Sequence, residues 1–212
     1  MPTSSKQQHY DLHPALAYLA AVERNLPKTT GRSMQAWVRI IRQAGIRDAK
    51  HCRAWLKQTH KLGGTTVALL TAKFEGKGEH DADPKVYLKQ APKYVESLYA
   101  AKPNLRPVHD TLIRLARGLG KDVKVCPCKT IIPLYRNFVF AQIKPTTKTR
   151  IHFGLALKHC KVKPPKTLKP TGGLERGDRI THAFALAASA DITPEVKRWL
   201  KIAYEQDHKE RA

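Results

Sequence analysis

Cys126, Pro127 and Cys128, followed by His152, His159 and Cys160, bring together the side-chain types that ligate zinc. A tetrahedral zinc site needs four such donors to converge, and zinc knuckles ordinarily present them as C-x-x-C. The spacing here is C-x-C, which on an extended segment points both sulfurs to one side. Packing or surface thiols are the expectation, with a metal site and then redox use of the pair as the alternatives, so no cofactor is expected. Metal-dependent nucleases need clustered carboxylates, yet no Asp or Glu occurs between Asp122 and Glu175. Glu175 and Asp178, beside Arg176 and Arg179, read as loop charges. Walker, nucleophile-elbow and dinucleotide glycine motifs are all missing from the sequence. An enzyme would require His109, Asp110, His152 or His182 to meet in one pocket, so a catalytic role is disfavoured. Arg106, followed by Pro107 at a helix start, is placed to hold an anionic ligand; the alternative is that it fixes helix entry through an ion pair.

Charge is the more informative feature. The 212 residues carry 39 Lys and Arg against 17 Asp and Glu, a formal +22. Within the acid-free stretch lie Lys129, Arg136, Lys144, Lys148, Arg150, Lys158, Lys161, Lys163, Lys166 and Lys169. Such a field attracts nucleic acid by releasing condensed counterions, without reading bases. These ten residues are the candidate nucleic-acid contacts, and Tyr135 is a candidate stacking platform. A charged surface that serves only solubility is the competing explanation.

The elements that must position these residues follow from periodicity. A helix is expected from Pro14 to about Asn25, where Pro27 ends it, as part of an N-terminal helical arm over 1–29. Ser33 caps a helix with the stripe Met34, Trp37, Val38 and Ile41; Asp48 caps another with Cys52, Trp55 and Leu56; a third spans Val67 to Phe74. These form a small helical domain over 30–75. Residues 76–84, rich in glycine and acid, read as a linker. Beyond it, 85–212 forms a basic domain: a helix interrupted at Pro92, a helix from Asn104 to Gly118, then a change to period two. Strands are expected at Val123 to Val125, Ile131 to Tyr135, Phe138 to Ile143, Arg150 to Lys158 and Thr181 to Ala187, with Arg136-Asn137 as a hairpin turn. The segment from Lys161 to Gly173 is too rich in proline to join the sheet and is expected to be a basic arm. A final helix packs through Val196, Trp199, Leu200, Ala203 and Tyr204. The fold class is α+β, an antiparallel sheet of about five strands flanked by helices.

Several of these residues resemble known patterns. Thr30-Gly31-Arg32-Ser33, Trp37, Gly45, Trp55-Leu56-Lys57, His60 and Leu62-Gly63 resemble a short bacterial domain-of-unknown-function family. Leu105-Arg106-Pro107, Leu119-Gly120, Val123, Cys126-Pro127-Cys128-Lys129, Phe138, Ile143-Lys144-Pro145, Arg150, Leu155, Thr181-His182 and Trp199-Leu200 with Ala203-Tyr204 resemble another such family. Neither resemblance implies an established activity. In the C-terminal half the order of elements is similar to the double-wing α+β fold of YjbR-like proteins, for which the resemblance implies DNA binding by analogy of fold alone.

No apolar run approaches the roughly 20 residues that span a bilayer, the start Met-Pro-Thr-Ser-Ser lacks a charged region followed by an apolar one, and the four cysteines look unlike a secreted framework, so neither export nor a membrane span is expected. The expectation is a cytoplasmic, noncatalytic nucleic-acid-binding protein. A small anionic-ligand or regulatory module is the first alternative, an uncharacterised enzyme the second.

Overall fold

The computed structural model describes residues 9–76 and 83–209. Two compact units divide them, one formed by Pro14–Gln90 and the other by the described residues up to His13 together with those from Ala91 onward. Of the segments expected as arm and linker, residues 1–8 and 77–82 lie outside the described residues.

In the helical unit, α1 spans Pro14–Thr30, α2 Met34–Gln43, α3 Ala49–Gln58 and α4 Gly64–Phe74. Contrary to expectation, α1 passes through Pro27. That proline is solvent-facing and within one turn of the helix end, so it removes one backbone hydrogen bond, while Leu26 beside it is fully buried. Burial of Leu26 with Trp37, Ile41, Cys52, Leu56 and Leu70 makes α1 a full member of this core rather than a loose arm. Ser33 accepts from Ala36 N at 3.2 Å and Asp48 from His51 N at 3.0 Å, each satisfying an orphan donor at a helix start. Trp37 is buried, its indole donating to Thr30 Oγ1 at 2.8 Å, and the His60 ring packs edge-on between Trp37 and Trp55.

The helix α5, Pro84–Tyr99, begins where the Asp83 carboxylate accepts from Lys85 N at 2.7 Å. It is not interrupted at Pro92, because that residue is exposed and the ring displaces only one hydrogen bond on the outer side. A 3-10 turn, Pro103–Leu105, leads into α6, Arg106–Arg117. The strands are β1 Lys124–Val125, β2 Ile132–Tyr135, β3 Val139–Pro145, β4 Ile151–Leu155, β5 Lys169–Pro170 and β6 His182–Leu186, followed by the helix α7, Pro194–Lys209. The sheet is antiparallel throughout, in the order β1-β2-β3-β4-β6-β5. This is an α+β fold.

The sixth strand corrects the expectation for the proline-rich segment. Lys169 and Pro170 pair with Ala183 and His182 at the sheet edge, where a proline need donate nothing to a further strand. One face of the sheet, with Ile132, Leu134, Ile143, Phe153, Leu155, Phe184 and Leu186, is buried in a single core with Leu112 and Ala116 of α6 and Trp199 and Leu200 of α7. The other face carries no helix of this unit among the described residues. Register aligns Gln142, Gly154 and Ala183 across that face in one row and Lys144, His152 and Ala185 in the next.

A short N-terminal segment extends the other edge. Asp11 N donates to Val125 O at 2.9 Å, and the Asp11 carboxylate accepts from Val125 N and Arg117 Nη2, both at 2.8 Å.

Candidate functional site

The helix-free sheet face is built from small residues and bordered by cations. Gly154 and Ala183 form its floor, and the loop from Thr171 to Ile180 folds over one side. A Cβ on Gly154 would stand 2.5 Å from Ile180 Cγ2 and 3.0 Å from Gln142 Cγ, so glycine here allows the loop to lie on the sheet. The loop holds itself in place. Asp178 N donates to Gly173 O at 2.7 Å, Thr171 Oγ1 to Ile180 O at 2.9 Å, and Arg176 reaches both Asp178 Oδ2 at 3.0 Å and Thr171 O at 3.2 Å.

Arg179 fastens the loop to the rest of the unit. It donates to Asp207 Oδ1 at 3.3 Å and lies 4.4 Å over the Phe138 ring. Asp207 is buried and also accepts from Asn137 N at 2.6 Å and Phe138 N at 3.0 Å, so a carboxylate of α7 closes the β2–β3 turn. The resulting groove, about 560 Å³, is walled by Lys144, Thr146, His152, Arg176 and Arg179. Past Arg179 and Asp178 a further hollow of about 650 Å³ is lined by Lys158 and His159. Among the described residues Asp178 is the one acid lining either, and it is paired with Arg176.

The candidate contacts separate into groups. Lys144 lines the groove, Lys148 and Arg150 lie in the turn between β3 and β4 beyond Thr146, and Lys158 borders the further hollow. Lys169 faces the same side as Ala183. Lys161, Lys163 and Lys166 are on the connection from β4 to β5, while Lys129 is on the turn between β1 and β2, at the far end of the sheet order. None of these nine cations makes an ion pair among the described residues. Arg136 does not join them. Its guanidinium pairs with Asp122 at 2.7 Å, donates to Tyr204 O at 3.2 Å and stacks 4.1 Å over the Tyr204 ring, which commits it to holding α7. Tyr135 is likewise engaged, edge-on to His13, with its hydroxyl 3.4 Å from His13 Nε2.

Arg106 donates to Glu96 at 2.8 Å and to Asp110 at 3.0 Å, the ion-pair alternative to anion binding. His109 beside it is fully buried, its Nδ1 3.2 Å from the Tyr99 hydroxyl, and desolvation lowers its pKa to about 4. His152 stands on the opposite side of the sheet from His109, so these two do not meet in one pocket, while His109 Nε2 lies 4.0 Å from Asp110 Oδ1. The Cys126 thiol lies 3.6 Å from Leu12 O, and burial pushes its pKa up to about 12. Among the described residues no group of three His, Cys, Asp or Glu side chains is placed to hold a metal ion.

Arg176 and Arg179 are legible in the sequence as charges but not as groove walls. The only sequence signal for their role is the glycine pair Gly172-Gly173 before them, which marks a tight turn.

A family model described as Domain of unknown function (DUF5655) matches residues 95–207, more than half of the chain. The chain belongs to that family. Another model, Domain of unknown function (DUF4287), matches residues 19–72, so the two stand in tandem, the first covering the sheet and the groove described above. No curated protein and no solved structure matches the chain, and the similarity to YjbR-like proteins finds no support there. No helix among the described residues is long and apolar enough to cross a membrane.

Proposed function

We propose that the C-terminal unit is a noncatalytic nucleic-acid-binding domain of a cytoplasmic protein, and that its helix-free sheet face holds the phosphate backbone. The observation that supports this is the grouping of cations without ion-pair partners, Lys144, Lys148, Arg150, Lys158 and Lys169, around a floor of small residues. Lysines around such a groove contact backbone phosphates without reading sequence. Lys161, Lys163 and Lys166 extend the positive surface along the adjoining connection. Arg136 and Arg106 take no part, because each is held by carboxylates.

Fluorescence-anisotropy titration with duplex DNA, single-stranded DNA and RNA at several salt concentrations tests this. Binding with a steep negative salt slope is expected, and the charge reversals Lys144→Glu, Lys148→Glu and Arg150→Glu together should reduce that slope by about 2 to 3. No binding at low salt sinks the reading. A small anionic ligand in the same groove is the alternative, favoured by the groove's volume of about 560 Å³ and by Arg176 and Arg179 in its wall. Thermal shifts with nucleotides and sugar phosphates, but none with DNA, would select it.

A further inference from the structure

The positive charge is not confined to the sheet. From Arg24 to Phe74 the helical unit carries eleven lysines and arginines and one carboxylate, Asp48. That carboxylate is already engaged, capping α3 through His51 N at 3.0 Å and pairing with His51 Nδ1 at 2.6 Å. Between Glu23 and Glu75 the chain therefore carries a strong excess of positive charge, separate from the acid-free stretch.

The helix α2 organises it. Met34, Trp37 and Ile41 face the core, and Gln35, Arg39 and Arg42 are exposed at i, i+4 and i+7, one stripe on the outward side. Neither arginine makes an ion pair among the described residues. A hollow of about 590 Å³ runs along this stripe, bounded by Val38 and by Lys73 of α4. The helix itself contains no acid, and Trp37 and Ile41 fix its rotation by full burial.

We propose that α2 is a duplex-DNA-reading helix, entering the major groove with Gln35, Arg39 and Arg42 directed at base edges, as a second nucleic-acid site independent of the sheet. Arg and Gln are the side chains that pair bidentately with guanine and adenine edges, and an α-helix fits the B-form major groove. A helix of ten residues, about 15 Å long, spans enough base pairs for three such side chains to reach successive edges. The surrounding cations supply backbone contacts that position it. A lysine-rich surface for acidic proteins would not need planar, bidentate groups in register on one helix. The inference rests on the sheet reading only for the class of partner.

The test uses the full chain, titrated with a mixed-sequence DNA duplex and an RNA duplex of the same sequence. Arg39→Glu with Arg42→Glu should weaken DNA-duplex binding about tenfold or more, with a smaller effect on the RNA duplex, whose deep major groove excludes a helix. Arg39→Gln with Arg42→Gln, which adds no charge to the helix, should weaken binding in the same direction and guards against a folding defect. Unchanged DNA affinity in both variants overturns the inference, and so does an equal loss on both duplexes. Loss in the sheet variant alone keeps the sheet reading and removes this one; loss in the α2 variants alone does the reverse. If the wild-type chain binds neither duplex, both are overturned.

Discussion

Asp207 holds Arg179: the buried carboxylate of α7 accepts Arg179 Nη2 at 3.3 Å while also receiving the backbone N–H groups of Asn137 and Phe138. One side chain thereby joins the final helix, the β2–β3 turn and the loop that walls the groove. Truncation to alanine would leave two backbone donors without their acceptor and remove the carboxylate from Arg179, which keeps Val139 O at 3.5 Å. Asp207→Ala is expected to lower unfolding stability by roughly 3 kcal/mol, and Asp207→Asn, which keeps one acceptor oxygen, by less. Urea unfolding midpoints check this, and a change below about 0.5 kcal/mol for alanine would contradict it.

Gly173 lies where a Cβ would stand 2.1 Å from the Ile180 carbonyl oxygen, a backbone atom that cannot rotate aside. Gly173→Ala should push the loop from the sheet and cost about 1–3 kcal/mol. Because that loop walls the groove beside Lys144, nucleic-acid affinity should fall in the same variant at temperatures where it remains folded. Full affinity in a folded Gly173→Ala protein would separate the loop from binding.

His109 gives a pH dependence of definite sign. Burial lowers its pKa from about 6.5 to about 4, so the unfolded chain takes up this proton more readily than the folded one. The stability gained from keeping the ring neutral is fully present above pH 6.5 and is lost as pH falls toward 4, by about 3 kcal/mol at most. His109→Gln should flatten the dependence of melting temperature on pH across that window. An unchanged slope would assign the acid sensitivity to other groups.

The cysteines should divide by burial. Cys52 and Cys126 are fully buried, and desolvation raises both thiols, Cys126 to about 12. A thiol reagent at pH 8 should therefore modify Cys128 and Cys160 in the native protein and reach Cys52 and Cys126 only after unfolding. Mass spectrometry of the labelled peptides reads the order directly.

Much of this architecture is legible in the sequence because it rests on local rules. Ser33 and Asp48 cap the helices they precede, and the stripes Met34–Trp37–Ile41 and Val108–Leu112–Ala116 face their cores as periodicity requires. The alternation through Ile151, Phe153 and Leu155 marks the buried face of β4. What stays hidden depends on distant partners. Pro170 reads as loop until Ala183 and His182 offer an edge to its strand. Arg136 reads as an exposed cation, yet Tyr204, far along the chain, covers it. The groove wall is hidden for the same reason, since nothing near Arg179 in sequence announces Asp207.

The pairing of Asp11 with Arg117 and Val125 also bears on how the protein is made. The partners are separated by 106 and 114 residues, and the whole helical unit lies between them in sequence. During synthesis the helices, whose contacts are local, can close while the ribosome is still making the sheet, and the strap at His9–His13 must wait for β1. A fragment cut at the family limits, 95–207, would also lack Asp11 and leave Arg117 and Val125 N without that carboxylate. Anyone expressing the sheet unit by itself would do well to supply the strap as a separate peptide, since its rebinding would report on the integrity of that edge.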